Sequence, residues 1–132
     1  RKNRDANQEA NREVLNEYFL QVQNINSAEE LFQMMPAFMD IGIMPAMRFY
    51  VGADRKNSAM TITMMYQGGL SLPNRDYYLK PDKTYEDIRA AYLKHVARMF
   101  ELGNIEGGEE AAKKILAFET EVAKISWSKL ER

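Results

Sequence analysis

Lys83-Thr84-Tyr85-Glu86-Asp87-Ile88-Arg89-Ala90-Ala91-Tyr92-Leu93-Lys94-His95-Val96-Ala97-Arg98-Met99-Phe100-Glu101-Leu102 is the stretch on which the fold class turns. Tyr85, Ile88, Tyr92, Val96 and Met99 recur three or four residues apart, so a helix here carries one apolar stripe. Gly103 follows as its C-terminal cap. A helix with a single apolar stripe is stable only when something covers it, and the next segment supplies a partner. After a Gly-containing connector from Gly103 to Gly108, a helix from about Glu109 to Ser128 opens with acids at its positive dipole end. It carries Ala112, Ile115, Leu116, Phe118, Val122 and Ile125 on its apolar side and is expected to continue past Arg132.

Upstream, the same periodicity appears twice. Val14, Leu15, Tyr18, Phe19, Val22 and Ile25 mark a helix from about Ala6 to Asn24. Ser27 with Glu30 is a capping box that starts the next one, with Leu31, Met34, Met35, Phe38 and Met39 on its apolar side. Pro36 is expected to kink or end that helix, and Gly42 to terminate it. Between the helical pairs, Met47 to Val51 and Ala59 to Gln67 are rich in β-branched and aromatic residues around a polar loop, which predicts a β-hairpin with one face against the helices. Gly68-Gly69 breaks it, and Leu70 to Leu79 is expected to be an irregular connector. The fold class is therefore mainly α: about four helices with one small β-hairpin, residues 1–132 forming a single partial domain of something larger.

Composition narrows the function. Acids and bases nearly cancel, 19 against 18, which argues against nucleic acid and anionic membranes as partners. No apolar run is long enough to span a bilayer. With no cysteine, disulfides and thiolate chemistry are excluded. A zinc site of the H-E-x-x-H kind needs two histidines one helical turn apart, and the chain has one, His95, expected as a packed or half-buried helix residue. Gly69-Leu70-Ser71-Leu72-Pro73 is similar to a nucleophile elbow but has Pro73 where the tight turn needs glycine. Glu29-Glu30 and Glu109-Glu110 sit at helix starts, where they complement the dipole. No catalytic and no metal-binding residue is assigned. Eight of the nine methionines fall between Met34 and Met65, read first as core filling and second as an adaptable docking face.

One stretch is more specific than its composition. Val51-Gly52-Ala53-Asp54-Arg55-Lys56-Asn57-Ser58, followed by Gly69-Leu70-Ser71-Leu72-Pro73-Asn74-Arg75-Asp76-Tyr77-Tyr78-Leu79, resembles the N-terminal half of the neprilysin family, in particular its bacterial PepO-type endopeptidases. Leu116 to Ala123 and the Ser126-Trp127-Ser128 stretch extend the likeness, which covers about residues 31–132. The resemblance implies a non-catalytic helical domain that encloses a substrate chamber in a zinc metalloendopeptidase. Zinc would be bound by the parent enzyme and not by this segment, whose partners would be the catalytic domain of the same chain and peptide substrates. It also implies a periplasmic, cell-envelope or secreted setting, although cytoplasmic members exist. Gly69, Leu70, Leu72, Pro73, Arg75, Asp76, Tyr77 and Tyr78 carry the motif and are its structural, chamber-wall candidates, with one of the two tyrosines anchoring the core. The alternative is a free-standing helical module binding a peptide or protein without catalysis, and a third reading is a small hydrolase using Ser71 and His95.

Overall fold

The computed structural model describes residues 2–43 and 47–128, with side chains from Glu13 onward. The chain divides into two compact units, residues 1–43 and 44–132. Among the described residues the four long helices and the hairpin are those expected from the sequence, and one further short helix lies in the stretch expected to be irregular.

The first unit contains α1 (Lys2–Gln23) and α2 (Ala28–Asp40). Helix α1 starts at Lys2, several residues before its apolar stripe, because the polar leader contains no Gly or Pro to stop it. Ser27 accepts from the Glu30 amide at 3.1 Å, as a capping box requires, whereas the Glu30 carboxylate reaches one residue further back, to the Asn26 amide at 2.7 Å. Pro36 neither ends α2 nor sits at its margin; the helix runs through it for another turn. That turn is secured from its far side. Gly42 adopts a φ of 83°, and the Gly42 and Ile43 amides close back onto Met39 and Phe38 at 3.0 and 2.8 Å, a Schellman end.

The second unit contains β1 (Met47–Ala53), β2 (Thr61–Gln67), α3 (Asp76–Leu79), α4 (Lys83–Leu102) and α5 (Gly108–Ile125). The strands pair antiparallel from Met47 opposite Gln67 to Ala53 opposite Thr61. No strand residue is buried: half-covered positions alternate on both faces, Phe49 on one and Ile62 and Met64 on the other. The expected burial of one face against the helices is absent because no second layer lies over the hairpin among the described residues. A reciprocal pair of hydrogen bonds does tie its base down. The Gln67 side-chain amide donates to the Trp127 carbonyl at 3.2 Å and accepts from the Trp127 amide at 2.9 Å.

Helices α4 and α5 pack along each other, with α3 against both. A Cβ on Gly108 would fall 2.8 Å from the Phe100 Cβ and 2.9 Å from the Ala97 carbonyl oxygen, so only glycine admits this approach. Past Gly103 it is Asn104, at φ 55°, that takes the left-handed position and lets Ile105 bond back to Phe100 at 2.9 Å. Helix α5 ends at Ile125, short of the expected Ser128, where Ser126 turns extended and its hydroxyl donates to the Val122 carbonyl.

The buried face of α5 also differs from the expected stripe. Ala112, Glu119, Ala123 and Ser126 point inward, whereas Phe118 is 68% exposed and Ile125 and Trp127 are exposed too. On α4, Val96 is buried as expected and Met99 is not. The small alanines allow the closest approach, which rotates the larger apolar side chains to the flank.

Candidate functional site

The motif segment folds back on itself before it meets anything else. Gly69 has a φ of 81°, a left-handed conformation that any other residue would find strained. The Asn74 side chain accepts from the Asp76 amide at 2.9 Å, and the Tyr77 amide bonds to the Asn74 carbonyl at 3.2 Å. This local turn starts α3, a short helix within the stretch expected to be irregular. Tyr78 then projects inward and is only 5% exposed. Its hydroxyl accepts from the Leu72 amide at 2.9 Å, closing the loop on its own backbone.

The same hydroxyl also donates outward. At 2.8 Å it meets Glu119 Oε2, which further accepts from the Tyr92 hydroxyl at 3.0 Å, while Ser71 Oγ donates to Oε1 at 2.6 Å. Glu119 is 6% exposed, a carboxylate on the buried face of α5 held by three hydroxyls. Such a group is retained inside a protein only when its oxygens are satisfied, and here three donors converge from the motif loop, α3 and α4. Burial raises the Tyr78 hydroxyl well above the usual phenol range; the Leu72 amide acts against this and Glu119 reinforces it. Burial raises Tyr92 as well, with Ser71 opposing and Glu119 reinforcing. Both phenols therefore stay protonated at neutral pH and act as donors.

Two arginines fasten the ends of the motif. The Arg75 guanidinium donates to the Ser126 carbonyl at 2.8 Å, just beyond α5. Arg89, on α4, donates to the Tyr77 carbonyl at 2.8 Å and the Lys80 carbonyl at 3.0 Å, satisfying acceptors at the exit of α3. Asp76 pairs with Lys80 at 3.2 Å at the surface. Tyr77 stacks edge-on against Tyr85, with centroids 5.2 Å apart. Leu70 and Leu72 are half-buried, and Pro73 is exposed in the turn.

Of the eight motif residues, Leu72, Arg75, Tyr77 and Tyr78 thus enter one joint, while Asp76 pairs at the surface and Pro73 is exposed. Tyr78 is the core anchor and Tyr77 the outer member of the pair. Sequence reasoning missed Glu119, Tyr92 as its donor, and Arg89. One signal was present: Glu119 stands in helical phase with Ala112 and Ala123, and a carboxylate on a small-residue stripe needs partners. Ser71 is bound to this carboxylate rather than to an imidazole, and His95 is exposed on α4 instead of packed. The two do not form a nucleophile and base. Among the described residues no three His, Cys, Asp or Glu side chains gather as a metal-binding group, so the residues present do not fit a zinc ion.

Backbone-directed arginines and a satisfied buried carboxylate thus join the motif to a mainly helical unit. The sequence pattern of the N-terminal domain of peptidase family M13 matches residues 2–132, and the chain belongs to that family. It is 41% identical to human endothelin-converting enzyme 1 over 88 residues, 62% of this chain and 11% of that protein. Mouse endothelin-converting enzyme-like 1 is 31% identical over 117 residues, 89% of this chain and 13% of that one. Among solved structures, the Mycobacterium tuberculosis zinc metalloprotease Zmp1 in complex with inhibitor superposes with a TM-score of 0.74 at 29% identity. That alignment covers 88% of this chain and 18% of Zmp1; the open state of Zmp1 gives a TM-score of 0.72 at 28% identity. The chain thus spans 11% to 18% of the length of these relatives.

Proposed function

We propose that this chain is the non-catalytic helical part of a neprilysin-like zinc metalloendopeptidase, in which both compact units belong to one larger domain. Its role is to build the wall of a chamber that admits short peptides and excludes folded ones. The catalytic domain of the same parent chain would carry the zinc, its ligands and the general base. The observation that carries this reading is the use made of the motif: Ser71, Leu72, Arg75 and Tyr78 have their polar groups engaged in closing the loop and holding α3 to α5. A segment whose most specific residues are occupied in fastening helices is built for shape, and the peptide chemistry belongs elsewhere. Similarity to a zinc metalloprotease over 88% of the chain supports the same assignment.

The experiment is to read the coding sequence downstream of Arg132. An H-E-x-x-H motif followed by a further acidic ligand is the expected result. A stop codon shortly after Arg132 would overturn the proposal.

A further inference from the structure

The hairpin holds a pair of side chains that the motif joint does not use. Tyr50 stands opposite Met64, and Tyr66 lies two residues further along β2, so the two tyrosines are diagonal neighbours on one face of the ribbon. Their rings stack with centroids 5.3 Å apart and planes 13° from parallel, and their hydroxyl oxygens are 2.9 Å apart. Both remain accessible, Tyr50 at 44% and Tyr66 at 39% exposure. The surrounding face makes room for this arrangement. Gly52 lies beneath it, where an added Cβ would come within 3.0 Å of Met64 Cε and 3.3 Å of Tyr50 Cε2.

We infer that Tyr50 and Tyr66 form an oxidative modification site, a pair that a one-electron oxidant such as an activated peroxidase joins into a dityrosine cross-link across the hairpin. Each phenol gives one electron to the oxidant and its hydroxyl proton to solvent, leaving two phenoxyl radicals with spin on the ring carbons beside the oxygen. Those carbons combine to form one Cε–Cε bond. The ring hydrogen on each then leaves as a proton while each oxygen regains one, so both rings become aromatic phenols again. The net change is loss of two electrons and two protons, taken up by two equivalents of the one-electron oxidant or by one hydrogen peroxide reduced to two waters. Stacked rings with adjacent hydroxyls bring the reactive edges together within one molecule, so coupling needs no second chain. In a stretch of chain with no cysteine, this is a covalent tie available without disulfide chemistry.

A built-in control sharpens the inference. Tyr77 and Tyr85 have nearly the same centroid separation, 5.2 Å, but meet edge-on at 76°. Proximity without parallel edges does not favour coupling. The test is to treat the full chain at low concentration with peroxidase and hydrogen peroxide, then digest it with trypsin and weigh the peptides. Phe49 to Arg55 contains Tyr50 as its one tyrosine, and Asn57 to Arg75 contains Tyr66 as its one, so a product at their summed mass less two hydrogens identifies the bond. The expected result is that product in the monomer fraction, its complete loss in Tyr50→Phe and in Tyr66→Phe, and its reduction in Gly52→Ala. Cross-links spread over the other tyrosines, coupling of Tyr77 to Tyr85 at a similar yield, or dityrosine confined to dimers would each overturn it.

Discussion

The motif joint and the hairpin are neighbours in the chain and opposites in construction. The joint buries a carboxylate and the Tyr78 phenol, half-buries the Tyr92 phenol, and satisfies them across separations of 27 to 48 residues. The hairpin keeps its polar pair at the surface, leaves Met47 and Met64 half-covered and Met65 exposed, and is held by its own ladder and by Gln67. In the joint each bond links different elements, so losing Glu119 strands the buried Tyr78 hydroxyl without an acceptor or water. In the hairpin a lost contact is replaced by solvent. The same number of hydrogen bonds therefore means different things in the two places.

The comparison breaks hardest at Glu119. Glu119→Ala leaves Ser71, Tyr78 and Tyr92 without their acceptor, and urea unfolding should show a loss of about 3 kcal/mol. A loss as small as that of a surface substitution would mean that the carboxylate is not the keystone of the joint.

An alkaline titration probes the same region from the donor side. Tyr78 and Tyr92 have folded pKa values raised above that of a free phenol, about 10. Their contribution is intact below that pH. As the pH climbs past it, the unfolded chain releases these protons while the folded one keeps them, so stability falls, for Tyr78 alone by about 1.4 kcal/mol in total by pH ~11. Melting curves between pH 9 and 11 should show the decline, and Tyr78→Phe should flatten it.

The smallest effect belongs to the hairpin. Gln67→Ala removes both bonds to Trp127 at a cost of about 0.5–1 kcal/mol. Hydrogen exchange should quicken in the β1 and β2 amides and stay unchanged in α4. Equal quickening in both would mean that the hairpin and the helices unfold as one unit.

The helices and the hairpin were readable because their signals are local: Tyr85 to Val96 repeat within one helix, and Thr61 to Met64 alternate within one strand. The motif was readable as a string, and so its residues could be named before their partners were known. Glu119 was not, because its meaning depends on hydroxyls brought in by three other segments, and its one local mark is a helical phase with Ala112 and Ala123 that Glu121 does not share. The exposed positions of Phe118 and Ile125 were misjudged for a related reason. Hydrophobicity ranks side chains by size, whereas the α4–α5 crossing is chosen by the smallest residues, Gly108, Ala112 and Ala123.

The close approach at Gly108 acquires a mechanical meaning once Glu119 is considered with it. Near the end of α4 the two helices are held at a separation no side chain can widen gently, and further back Glu119 grips Tyr92 from across the gap. A beam fastened at one point can swivel, but one fastened at two cannot. Helices α4 and α5 should therefore move as a single strut, and any breathing of a larger enzyme would have to bend the connectors on either side and leave this pair straight.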